Sequence, residues 1–156
     1  MINKINKGFT LIEVVIVIFL IALVSTIVFN NLSSFRQDQI LRSTTSDVVT
    51  LLNEAKQNTL SSVNSSSYGV HFETNRMILF SGIIYSSSDP NNKVVNFDDT
   101  VSIPSSGGLN IGGGSDVVFE RLTGDTIGGT IKLQLNSNTS KYNIINISKT
   151  GLISSN

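Results

Sequence analysis

The sequence predicts an α+β protein in which a long N-terminal helix, membrane-spanning in its first half, packs through its second half on a C-terminal antiparallel β-rich domain. Three patterns carry that prediction. Residues 9–29 form an almost uninterrupted apolar run, residues 41–63 repeat apolar or small side chains at steps of three and four, and from Tyr68 the pattern turns to alternation. The corresponding divisions are a basic leader at 1–8, a membrane helix at 9–29, its amphipathic continuation at 30–63 and a β-rich domain at 64–156.

From Val14 to Val24 only aliphatic residues and one Phe occur, and Ser25 and Thr26 are the sole polar interruptions before Phe29. At 1.5 Å per residue, a helix over residues 9–29 reaches about 30 Å, the hydrocarbon thickness of a bilayer. Glu13 is the anomaly. A carboxylate at the centre of a membrane helix costs about 3 kcal/mol, whereas each Ile, Leu, Val or Phe returns roughly 0.3–0.6. The helix is therefore expected to insert despite its acid, which sits near one end. Ahead of the run, Lys4 and Lys7 are unopposed by any acid, which holds this end in the cytoplasm. A secretory signal would place a small-residue cleavage site after the apolar run, but here the small residue, Gly8, precedes it.

The order Lys7-Gly8-Phe9-Thr10-Leu11-Ile12-Glu13-Val14 resembles the prepilin signal of type IV pilins and type II secretion pseudopilins. The resemblance implies that prepilin peptidase cuts between Gly8 and Phe9 and N-methylates Phe9, leaving Glu13 as the fifth mature residue. It also implies assembly with other pilin or pseudopilin subunits through the N-terminal helix, on an inner-membrane platform, after a stage in membrane lipid. The physics of Glu13 agrees with it: cleavage creates an amine on Phe9, and a neighbour's Glu13 is a natural counter-charge in an apolar bundle.

Composition narrows the remaining classes. Basic and acidic residues balance at 11 each; without Lys4 and Lys7, nine basic face eleven acidic groups, a net charge near −2. Such a chain has no global basic surface for nucleic acid. It has no cysteine, so the domain is held by its core alone.

Along the chain, Leu41, Thr44, Val48, Leu52, Ala55, Thr59 and Val63 form one helical stripe, with the helix expected to end near Ser62. Tyr68–Thr74 and Met77–Phe80 flank a tight turn at Asn75-Arg76, and Ile83-Ile84-Tyr85 prolongs the second strand or begins a third. Ser86–Lys93 reads as a surface loop, followed by short strands at Val94–Phe97, Val101–Ile103 and around Leu109-Asn110-Ile111. Stronger strands are expected at Val117–Leu122, Thr130–Leu135 and Tyr142–Ile147, and a short one at Leu152–Ser154.

Four patches in this order add a second resemblance, to the GspH/FimT group of minor pseudopilins and minor pilins. They are Leu51–Lys56, Val117-Val118-Phe119 leading to Gly124, Gly128–Leu133, and Ile145–Gly151. The resemblance implies a β domain, often of two sheets, packed on the helix. DNA-uptake members of the group carry a C-terminal Gly-Arg-x-Arg motif, and here Gly151-Leu152-Ile153-Ser154 has no arginine. Arg121, Lys132, Lys141 and Lys149 are the cations left for a phosphate patch, so DNA is the minor alternative.

No catalytic constellation is visible. His71 sits between Val70 and Phe72 and reads as a surface or satisfied strand histidine; with no cysteine and one histidine, composition disfavours a zinc site. Asp89, Asp98 and Asp99, with Asn91 and Asn92, match no EF-hand spacing and read as turn residues, calcium being the alternative. The expected function is a structural subunit, a minor pseudopilin or minor pilin; a DNA-uptake minor pilin or major pilin is the alternative, and a membrane-anchored enzyme a remoter one.

Overall fold

The computed structural model describes residues 8–112 and 114–156, without the side chains of 27–32. The chain divides into two compact units, Met1–Arg36 and Gln37–Asn156.

Helix α1, Leu11–Leu60, contains neither Gly nor Pro, so nothing in it forfeits a backbone hydrogen bond or adds excess chain entropy. Its start is set by Thr10, whose Oγ1 and carbonyl oxygen both accept from the Glu13 N–H, at 3.3 and 3.1 Å. Its end comes two residues before the expected Ser62. Ser61 and Ser62 close the last turn, Ser62 and Asn64 take left-handed φ near 50°, and Val63–Ser65 form a 3₁₀ turn. Serine side chains compete for backbone groups that would otherwise extend the helix. Val63, expected on the buried stripe, is consequently exposed at 39%.

Within Gln37–Asn156 the stripe faces the core. Leu41, Thr44, Val48, Leu52, Ala55 and Thr59 are buried, as are Thr45 and Leu51 beside them. The buried hydroxyls are satisfied locally: Thr45 donates to the Leu41 carbonyl and Thr59 to that of Ala55. Thr59 Oγ1 also accepts the Tyr68 N–H at 2.8 Å, joining the helix to the first strand.

Among the described residues, nine strands form two antiparallel sheets: β1 Tyr68–Phe72, β2 Arg76–Ser81, β3 Lys93–Asn96, β4 Val101–Ser102, β5 Leu109–Asn110, β6 Asp116–Val118, β7 Gly129–Leu135, β8 Tyr142–Ile147 and β9 Ile153–Ser155. One sheet has the order β3-β2-β1-β6, the other β4-β7-β8-β9 with β5 also on β7. Alternation positions both sheets over the helix stripe. Ile131, Leu133 and Leu135 of β7 are fully buried while Lys132 and Gln134 between them are not, and Val70, Phe72, Met77 and Leu79 join the same core from the other sheet.

Three sequence expectations need correction. The β1–β2 turn is longer than Asn75-Arg76: Phe72 pairs with Met77, the Glu73 N–H bonds the Arg76 carbonyl, and the Arg76 guanidinium grips Glu73 at 2.8 and 2.9 Å. Ile83-Ile84-Tyr85 is loop, because Gly82 at φ 111° turns the chain out of β2 and leaves Ile83 and Ile84 about three-quarters exposed. The strand expected over Val117–Leu122 stops at Val118; Phe119 is buried, but Leu122 has φ 74° in a turn and is 86% exposed.

Three of the four patches of the second resemblance, far apart in sequence, converge at one place. Lys56 Nζ donates to the Gly151 carbonyl at 2.9 Å and the Thr150 carbonyl at 3.5 Å. Gly151 has φ 68°, and a Cβ there would lie 2.2 Å from the Gly124 carbonyl. A Cβ on Gly124, at φ 73°, would meet Lys56 Cε at 2.9 Å, so both glycines are required for the lysine to seat. Nearby, the Thr126 N–H bonds the Lys149 carbonyl. Lys56→Met is expected to cost about 1–2 kcal/mol of domain stability by removing a charged donor from two carbonyls, read as a lower urea midpoint at unchanged m-value.

Candidate functional site: the N-terminal segment

Of the residues singled out at the N-terminus, Lys4 and Lys7 lie outside the described residues, whereas Gly8, Phe9 and Glu13 are placed. Gly8 and Phe9 precede the helix and are exposed, Phe9 at 84%. A Cβ on Gly8 would meet nothing within 4 Å, so the fold does not explain a glycine at this position. Glu13 occupies the first turn of α1, three residues after the capping Thr10. Thr10-Leu11-Ile12-Glu13 is thus a capping-box sequence, and a carboxylate here also complements the positive end of the helix dipole. That role of Thr10 was readable from the Thr-x-x-Glu spacing and was missed. The Glu13 carboxylate is exposed and has no hydrogen-bond or ion-pair partner among the described residues.

Beyond Glu13, exposure of apolar surface is the dominant feature. Every large apolar side chain from Phe9 to Val24 is between 47% and 84% exposed, on all faces of the helix. A helix apolar all round belongs in lipid or inside a larger assembly. Burying one such side chain contributes about 1.5–3 kcal/mol, so these residues together favour burial by on the order of 20 kcal/mol, far above the roughly 3 kcal/mol that a carboxylate costs. Ser25 and Thr26 hand their hydroxyl protons to the carbonyls of Ile21 and Ala22, at 2.7 and 3.0 Å, which masks them for an apolar surrounding. Judged on described residues alone, no helix is long and apolar enough to cross a membrane. The described side chains of the expected 9–29 span stop at Thr26, and 27–29 lie outside them.

The sequence matches the prokaryotic N-terminal methylation motif over residues 3–29. No curated protein sequence matches the chain. Among solved structures, the minor pseudopilin EpsH from the type 2 secretion system of Vibrio cholerae superposes with a TM-score of 0.55 at 9% identity, covering 74% of this chain and 95% of EpsH. The type IV minor pilin FimU of Pseudomonas aeruginosa gives 0.55 at 14% identity, covering 74% and 92%. The fold of this chain is pilin-like. Motif and fold are independent observations, one made on residues 3–29 and the other on the arrangement of helix and sheets.

Elsewhere in the chain, several of the residues weighed for other chemistry are engaged locally. His71 Nδ1 meets Asp116 Oδ1 at 2.5 Å across paired strands, and its ring stacks on Tyr85 with centroids 4.0 Å apart. Asp89 Oδ1 accepts from Asn91 N and Nδ2, and Asp98 Oδ1 from the Thr100 hydroxyl and N–H. The Thr100 hydroxyl bond, then the N–H bond, holds the Asp98 carboxyl below its ordinary value. Among the described residues, no group of three or more His, Cys, Asp or Glu could hold a metal ion. Of the four cations weighed for phosphate contact, Lys141 is bound to Asp38 at 2.8 Å and Lys132 lies 4.3 Å from the centroid of the Tyr142 ring.

Proposed function

We propose that this protein is a structural subunit of a type IV pilus or type II secretion pseudopilus, of the minor pseudopilin or minor pilin kind. Prepilin peptidase trims it after Gly8 and methylates Phe9. The chain waits in the bacterial cytoplasmic membrane with its N-terminus inside and its β domain outside, then joins other subunits through α1 on the inner-membrane platform. The observation that carries this reading is the pairing of an all-round apolar helix with one carboxylate, a single turn from its start, that has no partner among the described residues. An ordinary anchor could use that acid only at its helix start, whereas a helix that must dock beside another new N-terminus also needs it as a counter-charge.

Gly8 supplies the test of processing. Because a side chain there touches nothing, Gly8→Val is expected to leave domain stability unchanged while blocking cleavage, so that the protein isolated from its host keeps residues 1–8. Normal trimming of Gly8→Val, read by intact mass, would count against recognition by a prepilin peptidase.

A further inference from the structure

A cleft of about 590 Å³ opens in the β domain where the β1–β2 turn, the segment after β4 and the residues before β6 meet. Its volume lies in the range of small-ligand sites. Four uncharged side chains on its wall, Thr74, Asn75, Ser105 and Ser115, have no hydrogen-bond partner among the described residues. The half-buried Pro104 and Leu109 supply apolar surface beside them. The two ionisable residues on the wall are already paired within the protein: Glu73 by a two-pronged bond to Arg76, and His71 by Asp116. Gly114 completes the lining. It needs no positive φ, and a Cβ there would come no closer than 3.8 Å to any neighbour, so the fold does not explain its missing side chain; the open mouth of the cleft does.

We infer that this cleft binds an uncharged saccharide. Unpaired hydroxyls and a carboxamide can both donate to and accept from sugar hydroxyls, and the apolar strip suits the C–H face of a pyranose ring. Internal pairing of Glu73 and His71 occupies the ionisable groups on the wall, which disfavours an ionic ligand. An extended peptide would need an open strand edge to add to, and these walls are mostly turns and strand ends.

The test exposes detergent-solubilised full-length protein to an array of neutral di- to tetrasaccharides, their uronic- and sialic-acid counterparts, and Ser/Thr-rich peptides. Retention on neutral saccharides is expected, reduced at least tenfold by Gly114→Leu, which fills the mouth, at unchanged thermal unfolding. Asn75→Ala, an exposed side chain with no partner, is expected to reduce retention severalfold and serves equally should Gly114→Leu fail to fold. No retention on any neutral sugar, preference for acidic glycans or peptides, or wild-type retention by a folded Gly114→Leu or Asn75→Ala variant would overturn the inference.

Discussion

Glu13→Ala is expected to leave membrane insertion and trimming intact while reducing incorporation into sheared filaments at least tenfold. Two unit charges about 4 Å apart attract by some 4 kcal/mol at an effective dielectric of 20. Desolvating both charges offsets part of that, and a tenfold effect requires only about 1.4 kcal/mol to survive. Glu13 also sits at the capping-box position, so alanine removes two things at once: a counter-charge and a helix-start preference. Glu13→Gln separates them, because glutamine keeps the capping-box residue type and loses the charge. On the present account Glu13→Gln assembles as poorly as Glu13→Ala. Wild-type levels of the glutamine variant in filaments would reduce Glu13 to a local helix cap.

The second large effect concerns the β domain. Phe119 is fully buried immediately after β6, where its neighbours in sequence turn back into solvent. Phe119→Ala is expected to cost about 3–5 kcal/mol, the lost transfer energy plus the cavity left behind. With no disulfide anywhere in the chain, that loss is comparable to the whole stability of a marginal domain. In a soluble fragment from Gln37 onward, the thermal midpoint should fall by on the order of 10 °C or more. Ile84→Ser, at a side chain 77% exposed on the β2–β3 loop, should move it by less than about 2 °C. Equal effects of the two substitutions would mean that Phe119 is not a core residue.

The long helix and the strand sequence were legible because their hydrophobic periods are strong. The stripe from Leu41 to Thr59 is buried where a 3.6-residue period places it, and β7 and β8 alternate as a half-buried sheet must. The misread parts are those decided by backbone chemistry and not by period. Ser61 and Ser62 stop the helix before Val63, Gly82 diverts Ile83 and Ile84 from a strand, and a turn at Leu122 cuts short an apolar run that looked like a full strand. Apolar residues in loops carry the same periodic signal as apolar residues in strands, and only the turn residues distinguish them. At the N-terminus, Glu13 could be singled out because a lone acid in an apolar run is costly, and Gly8 and Phe9 through the resemblance of the segment to a prepilin signal. Thr10 was overlooked because its contribution is a backbone bond and not a charge. The seat of Lys56 between Gly124 and Gly151 joins positions nearly a hundred residues apart, and no local pattern announces it.

The account rests on removal of the leader and on what then faces Glu13. Intact and N-terminal peptide mass spectrometry of the protein purified from its host measures this directly. The account predicts a chain that begins at Phe9 with one methyl group on its α-amine. A mature protein that begins at Met1, or that is cut after the apolar run, would contradict it.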